Sequence, residues 1–282
     1  MVETYGEHEI RAYWVVETEY GVTPPDPVMK RICAEGIEPN LDPHLIKVRG
    51  LGDRTLQAIK KGSFLPTLNL GHLVPSDGPV DFLQYFKSAY SLSVEVLYFK
   101  GEFASATDII SLLIKGCRLN TISTAVGIDD ILKADVKIIG QNVLIGTAKV
   151  GASYFNFTGT VPFYDTYVKK QTTTLDRATG FKFEVKNNLK PITVIRASDS
   201  NILKYLQFGK QEASGEIDFE FETEEELEDV VDDIEFSLEF GVGGSPVKKF
   251  TFSNCKWDNV GTKAEDYVSL RAPFTAKDFT IT

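Results

Sequence analysis

Apolar and polar residues alternate in short segments from about residue 44 to the end of the chain. A period of two is typical of strands that bury one face of a sheet. The predicted strands are residues 44–49, 64–74, 92–99, 109–115, 132–139, 154–160, 181–186, 192–197, 217–221, 236–240, 247–252 and 267–274. The pattern therefore predicts a mainly β fold of the α+β class.

Only two segments, residues 79–89 and 224–233, show the periodicity of a helix. The second begins with Thr223 and Glu226 in the spacing of a capping box. Its apolar residues recur at i, i+3, i+4 and i+7, namely Leu227, Val230, Val231 and Ile234. We expect each helix to flank a sheet.

The first 35 residues are predicted to form an extended arm. They contain Pro24, Pro25 and Pro27, which are incompatible with a helix and with regular strand pairing.

An internal duplication is indicated by residues that match at a constant offset. At an offset of 138 the matching pairs include Cys117 and Cys255, Arg118 and Lys256, Thr124 and Thr262, and Ala134 and Ala272. Further upstream an offset near 147 aligns Gly62 with Gly209. We expect two tandem units, residues 36–150 and 151–282, each a β-sandwich or barrel with one flanking helix.

The net charge of −10 is concentrated in one segment. Residues 216–235 contain twelve acidic residues and no basic one, so the remainder of the chain carries about +2. This distribution argues against a general affinity for nucleic acid, which needs clustered Lys and Arg. The 43% hydrophobic content indicates a protein with a substantial core.

No membrane segment or secretory signal is expected, because the apolar runs reach only about half a dozen residues. The three cysteines, Cys33, Cys117 and Cys255, are too few and too widely spaced for a disulfide framework. They favour a reducing compartment. We expect Cys117 and Cys255 to be small buried groups.

One predicted strand carries a wholly acidic face. Its acidic residues are Glu216, Asp218, Glu220 and Glu222, and the apolar residues between them are Ile217, Phe219 and Phe221. Two interpretations are open, a solvated strand face or the wall of a water-filled channel. The segment lacks the spacing of a calcium-binding loop.

Motifs for catalysis and cofactor binding are missing from the sequence. There is no P-loop, no G-x-S-x-G, no H-E-x-x-H and no C-x-x-C. The three histidines, His8, His44 and His72, are far apart. We expect no enzymatic activity, no catalytic residue, no metal ligand and no cofactor.

Four segments resemble the tail tube proteins of tailed viruses that infect bacteria or archaea. Residues 17–24 are similar to the N-terminal arm of the family, and residues 181–189 to the strand that opens the second unit in duplicated members. Residues 116–120 and 254–258 are similar to the late strand pair of each unit. The resemblance covers nearly the whole chain.

The resemblance implies a structural virion protein, the major tail tube subunit, made in the host cytoplasm. Duplicated members form homotrimeric, pseudo-hexameric rings that stack into a hollow tube. DNA passes through the lumen without specific binding, and no membrane is involved. Further partners would be other tail proteins, namely the tape measure, the terminator and the baseplate or tip.

Site residues follow from this interpretation. The channel-lining residues are predicted to be Glu216, Asp218, Glu220 and Glu222. The arm and the loops at residues 50–63 and 163–179 are predicted to stack the rings, with Trp14, Tyr20, Arg54, Lys60, Tyr164 and Tyr167 at the interface.

Three alternatives compete with this interpretation. One is a ligand-binding or carbohydrate-binding β-domain with Tyr164 and Tyr167 as an aromatic platform. Another is the tube subunit of a related contractile injection or secretion machine. The third is a hydrolase that uses paired carboxylates of the acidic segment as acid and base.

Overall fold

The computed structural model describes residues 4–52, 54–73, 82–128, 132–156, 165–195, 201–242, 248–264 and 268–282. The described residues form twenty-one strands, one α-helix and two 3₁₀ helices. The prediction of a mainly β fold is confirmed.

The first half of the chain contains eleven strands and the 3₁₀ helices Glu7–Glu9 and Phe82–Lys87. The strands are β1 (Ile10–Val16), β2 (Val28–Ile32), β3 (Ala34–Asp42), β4 (Ile46–Val48), β5 (Ala58–Lys60), β6 (Leu65–Leu73), β7 (Leu92–Phe99), β8 (Ile109–Gly127), β9 (Lys133–Ile139), β10 (Asn142–Gly146) and β11 (Ser153–Phe155).

The second half contains ten strands and the helix α1 (Glu225–Val231). The strands are β12 (Thr166–Lys170), β13 (Thr173–Thr174), β14 (Ala178–Lys186), β15 (Lys190–Ile192), β16 (Tyr205–Gln207), β17 (Glu212–Glu220), β18 (Phe236–Val242), β19 (Lys248–Trp257), β20 (Gly261–Ala264) and β21 (Val268–Ile281).

Two sheets pack against each other in the first half. The outer sheet has the order β2, β1, β7, β8 and β10, and the inner sheet has the order β3, β6, β9 and β8. Strand β8 belongs to both sheets because it is 19 residues long and changes direction near Gly116, which has a φ of 62°. A Cβ at this position would lie 2.6 Å from the Cβ of Gln141, so the bend requires glycine.

The second half repeats this arrangement. Its outer sheet consists of β12, β18, β19 and the end of β21, and its inner sheet of β14, β17, β21 and β20. All pairings within these two sheets are antiparallel.

The two inner sheets are continuous with each other. Strand β8 pairs with β14 over seven positions, from Thr121 opposite Lys186 to Gly127 opposite Gly180. The resulting inner sheet has the order β3, β6, β9, β8, β14, β17, β21 and β20.

Equivalent strands of the two halves differ by constant numbers of residues. Strand β14 begins and ends 144 residues after β3, and β17 begins and ends 147 residues after β6. The pairing registers largely agree: Gly36 lies opposite Gly71 in the first half, and the equivalent Gly180 lies opposite Asp218 in the second. The register shifts only next to Ala178, which lies opposite Phe219. The halves therefore share the order of their inner-sheet strands and most of the register between the first two.

The agreement extends to a short hairpin in each half. Strands β4 and β5 form one hairpin, and β15 and β16 form the other, at offsets of 144 and 147 residues. His44 and Asn188 precede these hairpins with φ values of 41° and 47°. Gly62 and Gly209 follow them, and a Cβ at either glycine would collide with the carbonyl oxygen of His44 or Asn188.

The core lies between the sheets and differs in chemistry between the halves. In the first half it is largely aliphatic, with Leu68, Val94, Val96, Ile114, Ile122 and Val136. In the second half it is rich in phenylalanine, with Phe181, Phe183, Phe240, Phe250, Phe252, Phe274 and Phe279. Close ring contacts of about 5 Å join several of these side chains.

Cys117 and Cys255 are fully buried, as predicted, and all three cysteines are free thiols. Burial raises the pKa of both buried thiols, that of Cys255 to about 12. They therefore contribute to the core as uncharged apolar groups.

The predicted N-terminal arm is wrong for residues 10–16 and 28–32. Residues 10–16 form β1, which pairs along its whole length with β7 and also with β2, formed by residues 28–32. Its central side chains, including Trp14, are buried in the sandwich, so strand pairing and core packing hold the segment in the outer sheet. The prolines fall in the unpaired stretch before β2.

Both predicted helices have counterparts, but their details differ. Helix α1 is confirmed, whereas its N-cap is Glu224 and no side chain caps it. The predicted capping box is therefore wrong, and Glu226 is buried elsewhere. The first helix is a 3₁₀ helix at Phe82–Lys87, and residues 79–81 of the prediction lie outside the described residues. No helix in the described ranges is long and apolar enough to cross a membrane.

Candidate functional site

The polar face of the inner sheet is the first candidate surface. The alternation of β17 places Glu216, Asp218 and Glu220 on this face, while Ile217 and Phe219 point into the core and are fully buried. The predicted division of this strand into an acidic and an apolar face is therefore confirmed for residues 216–220.

The acidic face is not an isolated cluster of carboxylates. Lys182 on β14 lies directly opposite Glu216, and Arg271 on β21 lies directly opposite Asp218. The Lys182 Nζ and Arg271 Nη2 atoms lie 3.0 Å and 2.5 Å from Glu216 Oε1, and Arg271 Nε lies 3.8 Å from Asp218 Oδ1. The sheet thus presents mixed charge, because bases distant in sequence flank the acids.

The other two predicted channel residues lie at the end of β17. Glu220 is exposed and lies opposite Ser269, which offers no charge. Glu222 is exposed and follows the end of the strand by two residues. Uncompensated acidic charge is therefore confined to one end of the strand.

The first half continues the polar face as an open concavity of about 520 Å³. Its polar lining residues include Glu38, Asn69, Asp135, Lys137 and Glu184. These come from β3, β6, β9 and β14, so the face crosses the junction between the halves. Acidic and basic side chains again lie side by side.

The two margins of the inner sheet are the second candidate surface. Within the described ranges, β3 pairs only with β6, and β20 pairs only with β21. Each therefore presents one edge without a strand partner in the described chain. Unpaired edges are templates for pairing with another chain.

Much of the acidic segment serves to dock helix α1. Glu226 is completely buried, and its carboxylate accepts two hydrogen bonds from Arg177, at 2.8 Å and 2.5 Å. Asp229 accepts hydrogen bonds from Lys170 Nζ and from Trp257 Nε1. Burial lowers the pKa of Lys170, but its hydrogen bonds to Asp229 and Glu225 outweigh this and leave the pKa raised.

The apolar residues of α1 do not all face the core. Leu227 packs against it, but Val230, Val231 and Ile234 are exposed. Phe221 is also partly exposed, in contrast to Ile217 and Phe219. The helical periodicity predicted the helix correctly, but the apolar side chains at and just after its C-terminal end are exposed to solvent.

A second exposed apolar group lies on the hairpin of β4 and β5. Leu45, Ile46, Val48 and Ile59 all have more than two fifths of their surface exposed. These residues were not predicted from the sequence as a surface group, because alternation in a short strand normally indicates burial of one face. An exposed group of this kind indicates a contact surface.

The predicted stacking residues are scattered over different environments. Trp14 is 1% exposed, so its assignment to a stacking surface is wrong: the ring packs against Tyr85 in the core of the sandwich. Tyr20 is half-buried where the two halves meet, and its hydroxyl accepts a hydrogen bond from the Leu206 N–H at 3.0 Å.

The remaining stacking residues lie elsewhere. Arg54 and Lys60 are exposed, in the loop and second strand of the β4–β5 hairpin. Tyr167 lies on β12 and donates a hydrogen bond to Glu239 at 2.7 Å, and burial raises its pKa to about 12. Tyr164 lies outside the described residues. These side chains do not converge on one site.

Two buried carboxylates were not anticipated. Glu17 accepts hydrogen bonds from the Gly21 and Gly116 N–H groups, each at 2.7 Å, and from Ser93 and Ser91. Glu95 is fully buried, and Tyr154 and Ser111 each donate a hydrogen bond to it at 2.7 Å. No sequence motif signals either residue, because the donors come from distant strands.

Metal-ligand geometry is absent from the described part of the chain, in which no three His, Cys, Asp or Glu residues converge. The candidate surfaces are therefore a broad polar face, two strand edges and the exposed apolar groups on α1 and on the β4–β5 hairpin.

No curated protein matches the chain significantly. The family model described as phage tail tube protein matches residues 60–276, which is most of the sequence. This range includes the inner sheet from β6 onward, both halves of the junction and helix α1. The chain therefore belongs to the phage tail tube protein family.

Proposed function

We propose that this protein is the major subunit of a tail tube, in which copies close into rings, the rings stack, and viral DNA passes through the lumen. The observation that carries the proposal is the pair of open edges on a continuous inner sheet, in a chain of the tail tube family.

The proposal includes a tandem duplication. The constant offsets between β3 and β14, and between β6 and β17, support descent of both halves from one unit. The units correspond to residues 36–150 and 151–282, with β1 and β2 added to the first. A ring of three such chains offers six similar positions, which is the proposed homotrimer.

The internal junction supplies a template for ring closure. Strand β8 of the first unit pairs with β14 of the second, and the equivalents of these strands are β20 and β3. We therefore propose that β20 pairs with β3 of the next copy. In the equivalent register, Thr262 would lie opposite Pro39 of the next copy, as Thr124 lies opposite Phe183 in the junction.

The residues that would meet across this edge are chemically compatible. Val260 falls opposite Leu41, which corresponds to the buried pair Ile122 and Val185. Lys263 falls opposite Glu38, and oppositely charged cross-strand neighbours stabilise antiparallel pairing. Closure of the sheet would also cover both open edges.

The polar face of the inner sheet would then surround the lumen, with Glu216, Asp218, Glu220 and Glu222 among its residues. Lys182 and Arg271 balance the acids of β17, and Glu220 and Glu222 add negative charge at one end. A hydrated wall of mixed charge with a net acidic balance offers no cluster of bases that would bind phosphates firmly. Such a wall suits DNA that slides without specific contacts.

The remaining parts of the proposal follow from the role in a tail. The protein would have no catalytic activity, would be made in the host cytoplasm and would reside in the virion. Its partners would be further copies of itself and the tape measure, terminator and baseplate or tip proteins.

Assembly of the purified protein tests the proposal. Negative-stain electron microscopy at high concentration, with light scattering for mass, should give rings or hollow tubes whose mass fits multiples of three chains. A protein that stays monomeric at every concentration contradicts it.

Charge exchange tests the edge register. Glu38→Lys should raise the concentration needed for assembly several-fold, because it faces Lys263, and the double exchange Glu38→Lys with Lys263→Glu should restore assembly. Glu102→Lys, at an exposed position elsewhere, is the matched control. Equal assembly of the wild type and all three variants contradicts the proposed edge.

A further inference from the structure

We infer that the two exposed apolar groups on this chain are the two sides of one contact between neighbouring copies within a ring. The helix patch comprises Val230 and Val231 at the end of α1, and the hairpin patch comprises Leu45 and Ile59 on the β4–β5 hairpin. The inference rests on the proposed tube function.

The same contact exists once within each chain, at the junction of the two halves. There the 3₁₀ helix Phe82–Lys87 of the first half meets the second half. The Phe86 carbonyl accepts a hydrogen bond from Asn187 Nδ2 at 2.7 Å, and the Phe86 ring lies edge-on to Phe279, 6.0 Å between centroids. Lys87 forms an ion pair with Asp278 at 2.6 Å.

The β15–β16 hairpin of the second half lies beside this helix. The Arg118 guanidinium donates one hydrogen bond to the Ala89 carbonyl, at 3.0 Å, and another to the Leu206 carbonyl, at 2.7 Å. Leu206 and Leu189 are buried in a cluster with Ile139 of the first half. The helix end and the hairpin are thus held together by one side chain.

The offsets of the fold identify the equivalents of these residues. The 3₁₀ helix leads into β7 as α1 leads into β18, at an offset of 144, so Phe86 corresponds to Val230 and Lys87 to Val231. The hairpin offsets of 144 and 147 relate Leu189 to Leu45 and Leu206 to Ile59. The helix patch and the hairpin patch are therefore counterparts of surfaces that touch within the chain.

Two pairs of equivalent residues are apolar in both halves but differ in exposure. Phe86 is 1% exposed and Val230 is 41% exposed; Leu206 is 0% exposed and Ile59 is 55% exposed. The first of each pair is covered by the other half of the same chain, and the second is open in the single chain. A second copy placed as the second half is placed would cover both patches at once.

Polar groups around the patches fit the same arrangement. Lys256 corresponds to Arg118 and forms an ion pair with Asp233, the equivalent of Ala89, at 2.6 Å. Asp258 corresponds to Asn120, whose Oδ1 accepts a hydrogen bond from the Leu189 N–H at 2.8 Å. Asp258 can accept in the same way from the Leu45 N–H of the next copy.

Two differences determine the chemistry of the contact. Asn187 corresponds to Pro43, which has no side-chain donor, and Lys87, which pairs with Asp278, corresponds to the apolar Val231. The contact between copies therefore lacks the hydrogen bond that Asn187 makes to Phe86. It depends on apolar packing of Val230 and Val231 against the base of the neighbouring hairpin.

Disulfide cross-linking of the full-length chain tests the contact. In a Cys33→Ser background, the variant Val230→Cys with Pro43→Cys should form disulfides between chains under mild oxidation, because the equivalent residues Phe86 and Asn187 are hydrogen-bonded. In a ring of three chains the covalent products should stop at three. The control pairs Val230→Cys with Ile145→Cys, an exposed apolar position outside both patches.

Charge insertion gives a second readout. Val231→Asp and Ile59→Asp should each reduce the affinity between copies about tenfold or more, whereas Ile145→Asp should assemble like the wild type. Circular dichroism and thermal unfolding verify that the monomers are folded.

The outcomes separate this inference from the tube proposal. Wild-type rings together with cross-linking above the control support both. Wild-type rings with no cross-linking above the control, or with covalent products longer than three chains, overturn the contact and leave the tube intact. A wild-type protein that never assembles overturns both.

Discussion

Arg177 and Glu226 form a two-point ion pair beneath helix α1, and the Glu226 side chain is completely buried. The pair anchors an acidic helix to the second half of the sheet. The base that compensates Glu226 therefore comes from outside the acidic segment, 49 residues upstream.

Glu226→Ala should destabilise the protein by about 3–5 kcal/mol, because it leaves the largely buried Arg177 without its main partner. Chemical denaturation monitored by circular dichroism measures the change. Glu228→Ala, at an exposed position two residues further along α1, should change stability by about 0.5 kcal/mol or less. Equal effects of the two substitutions would contradict the anchoring role.

Glu17→Gln should cost about 2–3 kcal/mol of unfolding free energy, because an amide N–H₂ group would face donors that now bind the carboxylate. Gly21 and Gly116 would each lose a charged acceptor. The exposed neighbour Glu19 provides the control Glu19→Gln. A Glu17→Gln protein as stable as the control would show that the buried network is not a determinant of stability.

Tyr20 should make the protein sensitive to alkali. Burial raises the pKa of the Tyr20 hydroxyl above its ordinary value, so the folded state keeps this proton to a higher pH than the unfolded state does. The corresponding stability is full below about pH 10, where tyrosine is protonated in both states, and decreases as the pH rises further.

Tyr20→Phe should therefore lose less stability than the wild type between about pH 10 and 12, although it starts about 1 kcal/mol lower without the hydrogen bond from Leu206. Unfolding free energies measured across this range give the slope. Tyr205→Phe, at an exposed position, should keep the wild-type slope. Identical slopes for all three proteins would refute the assignment.

Removal of the bases beside Glu216 tests the charge balance of the polar face. Lys182→Ala with Arg271→Ala should cost about 1–2 kcal/mol, since Glu216 is only 14% exposed in its side chain and loses both partners. Adding Glu216→Gln should recover most of this loss. If the triple variant is no more stable than the double variant, Lys182 and Arg271 do not offset the cost of burying the Glu216 carboxylate.

Alternation of residues was sufficient to predict the mainly β class and most strands, and helical periodicity predicted α1. It did not predict that β8 is one strand of 19 residues, because a glycine such as Gly116 at its bend normally indicates the end of a strand. It also assigned Trp14 to an arm, since the prolines that follow obscured a short strand whose partners, β2 and β7, cannot be seen locally.

The candidate site was predictable only where it depends on one strand. The face of Glu216 and Asp218 follows from a period of two, but their partner Arg271 is more than fifty residues away in the chain. Glu226 matched a capping box locally, and the competing interaction with Arg177 comes from 49 residues upstream. Long-range pairing decided both outcomes.

Strand β8 has a mechanical consequence. Its first part lies in the outer sheet, its last part lies in the inner sheet, and its end holds β14 of the second half. Load applied to one layer is therefore carried to the other, and on to the second half, along a continuous backbone and its hydrogen bonds. A strand shared in this way resists shear between the outer and inner sheets, and the two halves bend together when the protein is pulled.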